Sequence, residues 1–403
     1  MRRALVLALS MIACSAPPPA IVTPTPSPEA GILEVTALLD LSGPGAPAGT
    51  AQRSAMELWR DRHQASAGTP EVRLTFVDLA GSEARLLIEL RRAAEEQHAD
   101  ALVVGVPVAY GSVLGRAVEL AAMPVLFTLP LDVSDPVGLP GGGWSFALAP
   151  PLERLAAATI NDAIDRGVLS PALLLRRDET AKDLLADAVE AEMIRRGRDP
   201  LTAIPLPAGG AVPAVVRSSL SVLRSAHCTA TITACGAVAR EARAILAPTF
   251  FYLSYLTAPS EIQAEGDLSA RAIWPASRWI IPAEAGSPER ERFLLDHAER
   301  FGPAGSHAAT AYDAVALLAL AARGGGADDP EVSRAALEGI TMPLIASRYS
   351  FSSQQHSGSH PDDLAFVQWR AGAITYALPA IFGTSIPTPS PSTTASPTPS
   401  PAP

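Results

Sequence analysis

The chain has 403 residues, a formal net charge of −10, 48% hydrophobic residues and 5% aromatic residues. That length exceeds one ordinary hydrophobic core, so two lobes are expected. The acidic balance, with no basic stretch long enough to track a phosphate backbone, argues against nucleic acid as a partner.

Arg2 and Arg3 precede the apolar run Ala4 to Ala13 (ALVLALSMIA). A run of that length suits the apolar region of a signal peptide and is too short to span a bilayer. Residues 1–13 are therefore read as a signal peptide. The run ends in Met11-Ile12-Ala13-Cys14, which resembles a bacterial lipobox with Met11 in place of the usual Leu. The resemblance implies cleavage before Cys14 and acylation of that residue, which would hold the chain on the outer side of the cell membrane. Residues 14–30, rich in Pro, Ser and Thr, are expected to form a solvated tether. A second such segment, Thr384 to Pro403, is expected to be a disordered tail.

Between these ends, apolar runs alternate with amphipathic stretches. Ile32 to Leu39 reads as a strand, Gly49 to Gln64 as a helix and Val72 to Val77 as a second strand. Ser82 to Gln97 has Leu86, Leu87, Leu90 and Ala94 at helical spacing. Asp100 to Val106 is a continuous apolar strand, as in a parallel sheet covered on both faces. A helix over Ser112 to Ala122 and a strand over Pro124 to Thr128 follow. The rhythm restarts with a helix at Leu152 to Arg166 and a strand at Ala172 to Leu175. Thr180 to Gly197 reads as a helix, Ala203 to Leu206 as a strand and Ala214 to Ala226 as a helix. Thr229 to Ala234 reads as a strand, Ala237 to Leu246 as a helix and Thr249 to Leu253 as a strand. Ala272 to Pro275 with Ile280 to Pro282 suggests a return strand. Helices over Glu289 to Phe301, Ala308 to Arg323 and Asp329 to Gly339 precede a hairpin-like end at Ser350 to Phe351 and Ala365 to Arg370. This pattern predicts an α/β fold of two doubly wound parallel-sheet lobes.

Cys228 and Cys235 bracket the expected strand Thr229 to Ala234, which would hold them ~23 Å apart. A bridge needs Cα atoms within ~7 Å, so both are expected to be free thiols. No C-x-x-C pair supports a zinc ribbon. Gly43-Pro-Gly45 nearly opens a dinucleotide fingerprint, but Ala48 stands where its third Gly is needed. His356, His360, Asp362 and Asp363 have metal-ligand chemistry. The Gly and Ser between them favour a solvated loop, and neither metal nor cofactor is expected.

The order of several short motifs resembles the type I periplasmic-binding fold in its branched-chain amino-acid class. Leu39-Asp40-Leu41-Ser42-Gly43 is similar to that family's "PLSG" opening, and Thr75-Phe76-Val77-Asp78 to its second strand and acid. Asp100 to Gly105, Met123 to Leu126, Trp144 to Ala147 and Tyr312-Asp313-Ala314-Val315 are similar to later segments, as are Ala335 to Gly339 and Tyr349 to Phe351. Ala147 stands where the family usually has Arg or another polar residue. The resemblance implies three crossovers, with a first lobe of 31–145 plus 275–344 and a second of 146–274 plus 345–383.

It also implies a small-molecule ligand between the lobes, its carboxylate meeting hydroxyls and backbone N–H groups and its ammonium an acidic or aromatic group. The candidates are Ser42, Gly43, Tyr110, Ser112 and Thr128 in the first lobe, and Asp178, Thr180, Gly236 and Ser254 in the second. The Tyr-Gly that often follows the family's acid is absent after Asp178. The implied function is an extracytoplasmic, monomeric solute-binding lipoprotein that captures an amino acid or related carboxylate for an ABC permease. A ligand-sensing module without transport is one alternative. A secreted hydrolase is another, against which stands the lack of a G-x-S-x-G elbow.

Overall fold

The computed structural model describes residues 31–63, 69–133, 139, 143–177, 183–207, 209–247, 249–269, 271–323, 327 and 329–378. The signal, tether and tail expected from the sequence lie outside these residues.

The first part of the chain runs β1 (Ile32–Leu39), α1 (Ala46–His63), β2 (Glu71–Asp78), α2 (Glu83–Glu95), β3 (Ala101–Gly105), β4 (Val108–Tyr110), α3 (Ser112–Ala121), β5 (Val125–Phe127), β6 (Leu131–Val133) and β7 (Ser145–Ala147). Five of these strands form a parallel sheet in the order β2-β1-β3-β5-β7. β1 and β3 lie inside this sheet; β3 is apolar throughout and β1 apolar apart from Glu34 and Thr36, as suits strands covered on both faces. Helix α1 comes very close to the end of β1, because Gly49 presents no side chain: a Cβ there would stand 1.8 Å from the Asp40 carbonyl oxygen.

The chain continues with α4 (Leu152–Asp165), β8 (Ala172–Arg177), α5 (Leu184–Arg195), β9 (Thr202–Leu206), α6 (Ala214–Ser219), β10 (Ser225–Cys228), α7 (Ile232–Ala244), β11 (Phe250–Leu253), α8 (Pro259–Ala264), α9 (Gly266–Ser269) and β12 (Ala272–Ser277). It closes with α10 (Pro288–Phe301), α11 (Ser306–Ala321), α12 (Pro330–Glu338), β13 (Thr341–Pro343), β14 (Arg348–Ser350), β15 (Leu364–Arg370) and β16 (Ala373–Tyr376). The second sheet has the order β16-β15-β12-β11-β10-β8-β9, parallel from β9 to β12 and antiparallel at β15 and β16. The final hairpin turns at Ala371 and Gly372, both at positive φ, which suits the twist of a two-residue connection. β12 stays in the second sheet to Ser277, past the Trp274 boundary expected from the sequence.

After β12 the chain returns to the first sheet. Tyr312 of α11 packs edge-on against Phe293 of α10, with ring centroids 4.9 Å apart, and its hydroxyl accepts from Arg62 of α1 at 3.3 Å. α11 is buried on nearly every side, so its run of small apolar residues needs no amphipathic stripe. Asp313 of this helix ties down the last crossing: its carboxylate accepts from the N–H groups of Ile345 at 2.9 Å and Ala346 at 2.7 Å.

Two sequence expectations are overturned between β9 and β11. The helix expected over Ala214 to Ala226 stops at Ser219, and the strand lies at Ser225–Cys228 instead of Thr229 to Ala234. The β-branched run Thr229-Ala-Thr-Ile-Thr favours a strand on propensity, but the Thr231 side chain accepts from the Ala234 N–H and caps α7 there. The turn brings Cys235 back over the end of β10, leaving the Cα atoms of Cys228 and Cys235 6.2 Å apart. They form a disulfide, and the expectation of free thiols is wrong.

The segment expected to be a solvated loop is internal in part: Asp362 is exposed and His360 partly so, as expected, while His356 and Asp363 are buried. His356 is fully buried, with Nδ1 3.0 Å from the Ser145 carbonyl oxygen and Nε2 3.2 Å from Glu338. Asp363 is buried too, accepting from Ser347 Oγ and the Arg348 N–H. Among the described residues no group of three or more His, Cys, Asp or Glu could hold a metal ion.

Candidate functional site

In a parallel sheet covered by helices, ligand chemistry gathers where strands end and helices begin. In the first lobe that edge is built on two carboxylates. Asp78, at the end of β2, accepts at one oxygen from the N–H groups of Leu41 (2.9 Å), Ser42 (3.2 Å) and Ala80 (2.9 Å). The Ser42 side chain does most to hold this carboxyl below its ordinary range, with those N–H groups assisting. Asp40, at the end of β1, accepts from the Gly81 N–H at 2.8 Å. Burial pushes its carboxyl up, and the Gly81 bond and the positive charge of Arg177 act against that shift. Arg177 ends β8 of the second sheet, so its cation stands at a strand end as Asp40 does in the first.

The expected first-lobe residues fall into distinct settings. Ser42 and Gly43 are exposed at this edge, and Gly43 starts a tight turn at φ +71°. Ser112 is exposed in the first turn of α3. Tyr110 faces inward: its hydroxyl lies 2.7 Å from Ser145 Oγ and its ring packs edge-on against Phe127. Thr128 is fully buried, and its hydroxyl donates to Gln52 Oε1 at 2.6 Å, while Gln52 Nε2 donates to the Gly105 carbonyl at 3.0 Å. The hydroxyl expected to meet a ligand therefore braces the end of β5 from within. Thr128→Val should lower stability by about 1–3 kcal/mol, because the buried Gln52 oxygen loses its donor. Urea unfolding measures that loss, and an unchanged midpoint would contradict it.

In the second lobe, Asp178 and Thr180 lie outside the described residues. Gly236 lies within α7 and packs on Glu265, where a Cβ would stand 2.4 Å from Oε2. Ser254 follows β11, and its Oγ accepts from the Leu256 N–H at 3.0 Å. Asp183 organises the edge beside it, capping α5 at Ala186 and accepting from Thr229 Oγ1 at 2.7 Å. The sequence reading missed Asp40 and Arg177. The signal available for both was their place directly at or after the last residue of a strand.

Ser254 also borders a cavity of about 40 Å³ between α4, α5 and the ends of β10 and β11. His227 of β10 lines it, stacked on Tyr252 with ring centroids 4.8 Å apart. Burial pushes the His227 imidazole down to about 4, so it is neutral at ordinary pH.

No curated protein sequence matches the chain closely enough to count as a relative. Among solved structures it is similar to an extracellular ligand-binding receptor from Rhodopseudomonas palustris HaA2, with 15% identity, a TM-score of 0.69, and 86% of this chain and 100% of that one covered. It is also similar to an ABC transporter solute-binding protein from R. palustris in complex with benzoate, with 15% identity, a TM-score of 0.68, and coverage of 86% and 95%. A third is the branched-chain amino acid transporter substrate-binding protein LivJ from Streptococcus pneumoniae in complex with isoleucine, with 14% identity, a TM-score of 0.67, and coverage of 85% and 97%. At such identities these likenesses establish the fold. The model of the periplasmic binding protein family matches residues 33–373. The chain thus belongs to the periplasmic binding protein family, whose members bind solutes and are not enzymes.

Proposed function

We propose that the chain captures a small carboxylate or zwitterion between its lobes and delivers it to an ABC permease. The observation that carries this reading is the placement of Asp40 just after β1 and Arg177 at the end of β8, which puts opposite charges at strand ends of the two sheets. A guanidinium suits a carboxylate because its donors form a planar fork. A neighbouring carboxylate suits an ammonium or hydroxyl. Ser42 and the backbone around Gly43 and Gly81 add short-range polar contacts on the first wall. Ser112 and Ser254 stay candidates, while Thr128, Tyr110 and Gly236 act within their own lobes. Benzoate and isoleucine, the ligands of two structural neighbours, both carry a carboxylate and agree with this class.

A thermal-shift screen across amino acids, small carboxylates, amides and polyols tests the reading. A bound carboxylate should stabilise the fold by about 2.7 kcal/mol at a hundredfold excess over its dissociation constant. Shifts from uncharged solutes alone would contradict it.

The same reading places the protein outside the cell on a lipid at Cys14, working as a monomer. Cells grown with a fatty-acid probe should label the wild-type chain and not Cys14→Ser, and the variant should leave the membrane fraction. Equal labelling and retention would refute the anchor.

A further inference from the structure

The cavity beside His227 holds a polar group with no counterpart. Its walls are mostly aliphatic, formed by Leu152, Leu155 and Ala156 of α4 and Val189 of α5. The other polar side chains around it have partners within the lobe, Ser254 Oγ accepting from the Leu256 N–H. Thr159 Oγ1 donates to the Leu155 carbonyl at 2.8 Å, Tyr252 Oη donates to Asp162 at 2.7 Å, and Thr229 Oγ1 donates to Asp183. His227 alone of the polar lining side chains has no partner: it is 2% exposed, and neither ring nitrogen has a hydrogen-bond partner among the described residues. Buried polar atoms are nearly always paired, and an unpaired one carries a desolvation cost.

The position of the cavity gives that imidazole a use. Leu152 opens α4, Leu185 lies in the first turn of α5, and Thr229 and Ser254 follow β10 and β11. These residues lie at the strand-end edge that faces the cleft. At about 40 Å³ the cavity has room for a short tail and not a ring, since a single water needs roughly 10–15 Å³ by the same measure. A charged tail would meet no opposite charge on these walls. A purely aliphatic tail would leave both imidazole nitrogens unpaired. A neutral imidazole has one donor and one acceptor, and a hydroxyl can answer both.

We infer that this cavity is a side pocket of the cleft and that it takes the uncharged, hydroxyl-bearing end of the bound solute, read by His227. The inference rests on the proposed binding of carboxylates in the cleft and adds the chemistry of the ligand's far end.

Matched ligands separate the two ideas. 5-Hydroxynorvaline and norleucine differ only in a terminal hydroxyl or methyl, as do 5-hydroxypentanoate and hexanoate. Titration calorimetry on the full chain should show the hydroxyl member of a pair binding about tenfold more tightly, as expected for a ligand that pairs a buried polar group. His227→Phe keeps a ring against Tyr252 and removes both nitrogens, so the preference should vanish while the methyl member binds at least as well. Ala156→Val fills the cavity without touching His227 and should abolish the preference too, which covers the case in which His227→Phe does not fold. Equal or tighter binding of the methyl member by the wild type would overturn the side pocket and leave the cleft reading intact. A preference that survives both variants would also overturn it. Binding of none of the four ligands would count against the carboxylate reading itself, and the side pocket would fall with it.

Discussion

Asp313→Ala is expected to cost about 3 kcal/mol of unfolding free energy, since each buried donor left unpaired costs roughly 1–3 kcal/mol. Its carboxylate is the acceptor for the N–H groups of both Ile345 and Ala346, in the segment that crosses between lobes. No other acceptor replaces it on those two N–H groups among the described residues. The midpoint of urea unfolding should fall at nearly constant slope, because the surface exposed on unfolding hardly changes. A loss below about 1 kcal/mol would mean that water reaches those groups and that the crossing is not fixed from within.

The same residue gives a pH signature with an unusual sign. Burial pushes the Asp313 carboxyl up to about 7 from an ordinary value of 3.8, against the pull of its two N–H bonds. The native state then binds a proton more tightly than the unfolded state, so this group's contribution falls as pH rises from about 4 to about 7. Asp313→Asn lacks the titration. The stability of the wild type minus that of Asp313→Asn should therefore decline over that window, and a rising difference would refute the assignment.

The second large effect is expected at the disulfide. Cys228 and Cys235 close a loop with a sequence separation of 7. Loop closure of that length is worth about 2.5 kcal/mol through the unfolded chain. Reducing agent should lower the unfolding free energy measured in urea by that amount, and unreduced protein unfolded with an alkylating agent should show neither cysteine modified. Alkylation of both cysteines without prior reduction would contradict the bridge. The link holds the first turn of α7 to the end of β10, beside His227 and Thr229, so reduction should also loosen the second-lobe edge of the cleft.

How far the fold was legible in the sequence follows from where its signals are local. Short, largely apolar runs such as Ile32–Leu39 and Ala101–Gly105 read as covered parallel strands by their length and branched residues, and the helices between them carry clear periodicity. The failures came where a single side chain reverses a propensity. Thr231 reads as a strand residue among β-branched neighbours, yet its bond to the Ala234 N–H starts a helix and creates the disulfide. His356 and Asp363 read as loop residues because their Gly and Ser neighbours are polar. Their partners, Ser145, Glu338, Ser347 and Arg348, come from distant elements that only the crossings bring together.

The site was less legible for a related reason. Thr128 has the expected place after a strand, but whether a hydroxyl faces ligand or core depends on Gln52, far away in sequence. Arg177 and Asp40 belong to the strand ends of different sheets, and nothing local to either records a role at the cleft. His227 lies inside an ordinary-looking strand, and its lack of a partner is a property of the packed lobe.

The opposed charges of Asp40 and Arg177 are the centre of this account. Titration calorimetry of wild type and Arg177→Met with the most stabilising carboxylate of the thermal screen tests them most directly. Methionine keeps a long side chain and removes the charged fork, and losing such a bond typically costs about 1.5–3 kcal/mol. Affinity should be at least about tenfold weaker in the variant, with the melting point of the free protein nearly unchanged. Equal affinity in the two proteins would contradict it and move the carboxylate away from Arg177.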